Sequence, residues 1–291
     1  MSPSPTFSSR IPNVASIAGI DPSGGAGLFA DLKTFAALGA YGCGVVAALT
    51  AQNTRSVTGV HVPPIAFLQL QIDTLFKDVA LQATKIGMLG SAEVTAVVAE
   101  RLAHWQARNV VLDPVMVAKS GDSLLAGSAV AMMREALFPQ AFMITPNLPE
   151  AGVLLQRPAP ETLAQMHRAA EQLRALLPAD SERWVLLKGG HLPGTELVDL
   201  LFDGEHMIEL PATRIPTRNT HGTGCTLSSA IAALLPQHQG DARPVEAAVR
   251  QARHWLLGAI THADELAVGS GHGPVHHFHA LWHTQEPQES Q

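Results

Sequence analysis

Short apolar runs, each about one strand long, alternate along this chain with longer segments whose apolar residues recur at helical spacing. Val14-Ala15-Ser16-Ile17-Ala18-Gly19 reads as a buried strand. It runs into the glycine-dense turn Asp21-Pro22-Ser23-Gly24-Gly25-Ala26-Gly27, after which Leu28, Leu32, Phe35 and Leu38 fall at helical spacing and Gly39 closes the helix. The next run, Gly44-Val45-Val46-Ala47-Ala48-Leu49-Thr50-Ala51, is almost uninterrupted, as in strands covered on both faces of a parallel sheet. The alternation predicts further strands over 84–89, 109–115, 142–146 and 184–190, with helices over 67–76, 92–105, 124–137, 161–177, 226–235 and 245–266. Two shorter runs, 197–202 and 207–211, meet at Asp203-Gly204, a hairpin turn signal. The expected fold is α/β: a doubly wound, mainly parallel sheet with helices on both faces and a small antiparallel edge hairpin.

With 291 residues, 46% of them hydrophobic, the chain buries a large core. No Pro/Ser linker divides it. Residues 1–12 read as a disordered lead-in, 13–283 as one domain and 284–291 as a polar tail. A net charge of −6 gives no basic excess to grip nucleic acid or an anionic membrane. No apolar run suits a bilayer span, and the start lacks the apolar core of a signal peptide. The two cysteines, Cys43 and Cys225, make neither a disulfide framework nor a thiolate zinc site, so a reducing cytoplasm is expected.

In open parallel sheets ligands bind at the carboxyl ends of the strands. Gly19, Asp21, Gln52, Met88, Asp113, Asn147, Glu150 and Lys188 all fall at such ends. Asp113 closes an apolar strand, where a carboxylate is costly unless solvated, paired or bound to a cation. Asn147 and Glu150 have the spacing of a capping box, and their oxygens also suit Mg²⁺ reached through water. Lys188 reads either as a lysine reaching to solvent or as one aimed at phosphates. The glycine turn after the first strand is not G-x-G-x-x-G, and nothing matches G-x-x-x-x-G-K-[ST].

Asn219-Thr220-His221-Gly222-Thr223-Gly224-Cys225-Thr226 opens an apolar helical run. A helix N-terminus there would present unpaired N–H groups and partial positive charge, with glycines allowing close approach: a site for an anion such as phosphate. The tail Gly271-His272-Gly273-Pro274-Val275-His276-His277-Phe278-His279 raises zinc, although no defined ligand spacing completes it.

These stretches, together with Asp31-Leu32-Lys33-Thr34, Ala51-Gln52-Asn53-Thr54, Lys85-Ile86-Gly87-Met88-Leu89, Leu112-Asp113-Pro114-Val115-Met116, Lys119-Ser120-Gly121 and Lys188-Gly189-Gly190-His191, resemble the hydroxymethylpyrimidine/phosphomethylpyrimidine kinases of the ribokinase-like superfamily. The resemblance implies an ATP-dependent, Mg²⁺-assisted kinase of thiamine biosynthesis. It would make the pyrimidine monophosphate, then the diphosphate, and would act as a cytoplasmic homodimer. By the same resemblance the pyrimidine lies over the turn near Gly19, Asp21 and Ala26, Gln52 bonds its amino and ring nitrogens, and Met88 and Val115 wall the ring. Asp113, Asn147, Glu150, Lys188 and Thr223 organise Mg²⁺ and the ATP phosphates, while Gly222, Thr223 and Gly224 form the anion hole.

Sugar kinases carry Asp where this chain has Cys225, and pyrimidine kinases resembling it carry Cys. A helix N-terminus lowers a thiol pKa, so Cys225 is expected to act as a weak base in the first step, with no base needed for the anionic second acceptor. Pyridoxal kinase activity is the alternative within the class. A non-catalytic pyrimidine sensor is the alternative outside it.

Overall fold

The structure, a computed structural model, describes residues 11–116 and 127–282. Among the described residues nine strands form one sheet in the order β3-β2-β1-β4-β5-β6-β7-β8-β9. The strands are β1 (Asn13–Ile20), β2 (Tyr41–Gln52), β3 (Val57–His61), β4 (Ala83–Ile86), β5 (Val110–Leu112), β6 (Met143–Ile144), β7 (Trp184–Leu187), β8 (Glu196–Phe202) and β9 (Met207–Thr213). Pairing is parallel from β2 through β1, β4, β5 and β6 to β7. It is antiparallel at both edges, β2 with β3 and β7 with β8 and β9. The mainly parallel sheet and the β8–β9 hairpin match the expected fold.

Each face of the sheet carries its own core. On one face α1 (Gly27–Ala37), α7 (Thr223–Leu234) and α8 (Pro244–Thr261) bury Phe35, Ile231 and Val249 over Val14, Val111 and Leu186. On the other, α2 (Ile65–Asp78), α3 (Ala92–His104), α4 (Gly127–Met132), α5 (Leu148–Leu155) and α6 (Leu163–Arg174) cover Ile17, Ile86, Leu112 and Val185. Adjacent strand residues such as Val111 and Leu112 go to opposite cores, which is why these strands read as unbroken apolar runs.

The chain departs from the expected elements in ways that matter. Strand β3 was not anticipated: four of its five residues are exposed, so no buried face imposes an apolar alternation. Helix α5 starts where the Asn147/Glu150 capping-box spacing places a helix N-terminus, with Pro149 in the first turn, where its missing N–H costs little. Helix α7 starts at Thr223 rather than 226, because its first turn is small and polar and carries no apolar period. Helix α8 ends at Thr261, and a tighter turn over Ala263–Glu265 follows where an α-helix to 266 was expected. The strands expected over 84–89, 109–115 and 184–190 end early, at Ile86, Leu112 and Leu187. The residues beyond each end leave the ladder and build the crevice.

The predicted helix over 124–137 is helical in its described part, passing from α4 into a wider turn over Met133–Leu137. Lys119-Ser120-Gly121, residues 1–10 of the lead-in and the polar tail lie outside the described residues.

Candidate active site

The chain runs from β1 to β2 on one side and later to β4 on the other, so a crevice opens at the carboxyl end of β1. Gly19 N–H donates to the Met88 carbonyl across it at 2.9 Å. A cavity of about 480 Å³ occupies the crevice. Gly19, Asp21 and Ala26 line it from the β1 turn, and Gln52, Met88, Asp113 and Val115 from the strand ends. Asn147, Glu150 and Lys188 line the far side, and Gly222, Thr223, Gly224 and Cys225 close it from α7. The cavity thus gathers the residues expected for the pyrimidine, phosphates, cation and anion hole, while the histidine tail does not line it.

The anion site is a feature of backbone geometry. Gly222 precedes α7 at φ +78°, a left-handed conformation open to glycine, and its Cα packs against the Gly25 carbonyl so closely that no Cβ fits. No side chain caps the helix. Among the described residues the N–H groups of Gly224 and Cys225 find no acceptor. A Cβ at 224 would stand 3.3 Å from Lys188 Nζ and 3.4 Å from Asp113 Oδ2, so this helix end faces a cation and a carboxylate at once.

Lys188 is neither exposed nor free: it donates to Asp113 Oδ1 at 3.1 Å. Thr145 Oγ1 donates to the same oxygen at 3.2 Å. Burial alone would lower the Lys188 ammonium, but Asp113 and Glu150 outweigh it and raise its pKa. Glu150 is pushed up to about 7, chiefly by burial and further by Asp113, against the pull of Lys188. The capping box forms in full. Asn147 N–H donates to Glu150 Oε2 at 2.8 Å, and Glu150 N–H donates to Asn147 Oδ1 at 2.9 Å.

Cys225 differs from expectation in the direction of its pKa shift. Protein encloses its thiol, although the residue keeps some exposure to the cavity. Burial pushes the thiol up to about 11; Asp31 and Asp113 add to the rise, and Lys85 and the Gly27 N–H oppose it. The first turn of α7 does not overcome that desolvation, so the thiol pKa is raised here where the sequence suggests a lowered one.

His221 was quoted within the helix-opening motif without a role. Its Nε2 donates to Asp21 Oδ2 at 2.7 Å, with both side chains buried. Asp21 also accepts from Ser23 N–H and Oγ, each at 2.9 Å, and from Ala26 N–H at 3.0 Å. Burial would raise this carboxyl, but the bonds from His221 and Ser23 outweigh it and hold it below the usual range. The available signal was a histidine in one glycine loop and an aspartate in another. Thr50 was likewise passed over: its hydroxyl lies 2.8 Å from the Ile20 carbonyl and 3.1 Å from Gln52 Oε1. The hydroxyl has one proton for these two oxygens, so Gln52 keeps both an acceptor and a donor for the cavity that it lines.

A second cavity of about 570 Å³ adjoins the first between β8, β9 and α8, and Lys188, Thr223 and Gly224 line both. Among the described residues no three His, Cys, Asp or Glu converge as metal ligands, the histidine tail included. Among them, too, no helix is long and apolar enough to cross a membrane.

The phosphomethylpyrimidine kinase family pattern matches residues 21–276. The chain is 53% identical over 270 residues to the hydroxymethylpyrimidine/phosphomethylpyrimidine kinase of Escherichia coli, covering 93% of this chain and 98% of that one. Its fold is similar to Bacillus subtilis pyridoxal kinase, solved as an ADP complex, with TM-score 0.83, 32% identity and coverage of 93% and 99%. Staphylococcus aureus pyridoxal kinase, solved with AMP-PCP and pyridoxal, gives TM-score 0.82 at 29% identity, with coverage of 94% and 96%.

Proposed function

The chain belongs to the phosphomethylpyrimidine kinase family, and on that premise we propose that its α7 N-terminus receives the phosphoryl group between a pyrimidine over Gly19 and a nucleotide beside Lys188. Its activity is that of a hydroxymethylpyrimidine/phosphomethylpyrimidine kinase of thiamine biosynthesis, which makes the monophosphate and then the diphosphate. The observation that carries the site assignment is the pair of unpartnered N–H groups, Gly224 and Cys225, at the junction of two cavities.

In this reading Gln52 turns its free amide edge to the pyrimidine nitrogens, and Met88 and Val115 flank the ring. ATP lies along the second cavity with its phosphates at Lys188, Asn147 and Thr223. The buried Asp113 and the half-buried Glu150 repel each other beside Lys188, and such an oxygen pair suits a hard cation that keeps most of its waters. Mg²⁺ held there would supply charge neutralisation at the phosphates.

Phosphoryl transfer has a loose transition state, so positioning and charge stabilisation carry most of the catalysis. The Gly222–Gly224 backbone and Lys188 provide both. The thiol of Cys225 does not take the hydroxymethyl proton; that proton leaves late, to an oxygen of the transferred phosphoryl group. The second acceptor is already an anion.

The likeness to pyridoxal kinases favours one second reading, phosphorylation of pyridoxal in the same cavity. Incubation with MgATP and hydroxymethylpyrimidine, with pyridoxal in parallel, separates them by mass spectrometry. Mono- and then diphosphate from the pyrimidine is the expected result; pyridoxal phosphate alone reverses the assignment, and tight binding without product leaves a sensor. The protein is further read as one cytoplasmic domain over 13–283 that forms a homodimer, supported by the exposed β2–β3 ribbon with Leu49 and Val60.

A further inference from the structure

Among the described residues one ion pair has both side chains fully out of solvent, and the mechanism above gives it no part. Lys85 on β4 donates to the two carboxylate oxygens of Asp31 on α1 at 2.9 and 2.8 Å. Asp31 also accepts from Ser16 Oγ on β1 at 2.6 Å and from Ser229 Oγ on α7 at 2.7 Å. Four elements therefore meet on one carboxylate. The third ammonium N–H finds no acceptor among the described residues.

The pair lies under the phosphoryl site and has a direction. Ser229 is one helical turn past Cys225 on α7. The ammonium packs under Gly87, where a Cβ would stand 2.6 Å from Nζ, and Gly87 precedes the cavity residue Met88. Both serines bond the carboxylate, while the ammonium reaches under Gly87, past the carboxyl end of β4 and next to the cavity-lining Met88. At the Cys225 thiol, Lys85 pulls the pKa down more than Asp31 raises it.

Stability does not account for such a pair. Taking two charges out of water costs about what their attraction returns, and apolar replacements of similar volume are often neutral or stabilising.

We infer that the buried Lys85–Asp31 pair is an oriented electrostatic support for phosphoryl transfer, its ammonium end fixed beneath the α7 N-terminus to favour negative charge there. Lys85 and Asp31 are then positioning residues, acting through space on the anion site, and the inference rests on the reading of that helix end as the phosphoryl site. A charge placed before the reaction begins needs no reorganisation during it.

The test is the double variant Lys85→Met/Asp31→Leu in a Cys43→Ser background, which leaves Cys225 as the sole thiol. Circular dichroism should match the parent, with melting lowered because Ser16 and Ser229 lose their shared acceptor. With MgATP and hydroxymethylpyrimidine, kcat should fall about tenfold or more while KM for the pyrimidine stays within about twofold. Alkylation of Cys225 by iodoacetamide at mildly alkaline pH should slow, a readout that a merely structural role would not move. A folded double variant with parental kcat and parental thiol reactivity overturns the proposal.

Lys85→Gln/Asp31→Asn, which replaces the ion pair by hydrogen-bonded amides, is measured alongside. If neither pair folds, the ion pair belongs to folding and the proposal falls. Alkylation needs no substrate, so a slowed thiol in a protein that phosphorylates neither ring alcohol would refute the function and leave the field intact.

Discussion

His221 Nε2 and Asp21 Oδ2 stand 2.7 Å apart across 200 residues of sequence, joining the loop that opens α7 to the turn that closes β1. Both loops line the same cavity, and in the proposed function the first carries the anion hole and the second the floor under the pyrimidine. Under that proposal their mutual distance sets whether the acceptor hydroxyl lies in line with the phosphoryl group. Asp21→Asn keeps the shape and removes the charge that four donors share. Hydrogen bonds to a charged group contribute about 1.5–3 kcal/mol, so kcat/KM should fall about tenfold to a hundredfold. The wild-type carboxyl is held below its usual range, so its stabilisation is present above the unfolded pKa and lost as pH falls through the folded one. Acid unfolding of Asp21→Asn should lack that component, which pH-dependent melting measures.

Gly222→Ala should abolish transfer. The backbone there is left-handed, and the added methyl would meet the Gly25 carbonyl, which is main chain and cannot swing away. A loss of activity of about a hundredfold or more, with a melting temperature several degrees lower, is expected. Near-parental activity in steady-state assays would show that the α7 N-terminus is not the anion site.

Lys188→Met separates the two ends of the site. The lysine bonds Asp113 and lines both cavities, whereas Gln52 sits at the pyrimidine end. Turnover should drop about a hundredfold with KM for hydroxymethylpyrimidine nearly unchanged. A rise in pyrimidine KM at constant kcat would move Lys188 to the other substrate.

Much of this site was legible because its residues follow strands, and strands buried on both faces announce themselves as apolar runs. Met88, Asp113 and Lys188 could be placed at carboxyl ends without coordinates. The N-terminus of α7 was legible from Gly222 and Gly224. The contact between His221 and Asp21 was not, since no local pattern encodes a pairing 200 residues apart. Strand β3 escaped because an exposed edge leaves no apolar period. The direction of the Cys225 shift was not legible, because a helix end suggests a lowered thiol pKa while the burial that raises it exists only in the fold.

Cys225→Ala tests the consequence of that shift. A thiol pushed up to about 11 carries little thiolate at neutral pH, so its removal should slow both phosphorylations alike, by less than about tenfold. Product analysis from hydroxymethylpyrimidine and from its monophosphate measures the two steps. A selective loss in the first step alone would restore Cys225 as a base.

His277 sets a pH limit on the scaffold behind the site. Its Nε2 lies 3.1 Å from Thr226 Oγ1 on α7, and burial, with Lys33 and His276 adding, pushes its pKa down to about 3 from 6.5. The folded protein therefore keeps the ring neutral where the unfolded chain protonates it. Between pH 6.5 and about 3 the unfolded state binds the extra proton, so stability rises with pH across that window and falls on acidification. This group alone contributes a slope of up to about 1.4 kcal/mol per pH unit. Gln at 277 keeps a polar partner for Thr226 and does not titrate. Urea unfolding at neutral pH and at about pH 5 should show the wild type losing about 2 kcal/mol more than His277→Gln over that interval. Identical pH dependence in the two proteins would mean that His277 is protonated in the folded state, and the packing of the tail against α7 would then have to admit a buried charge.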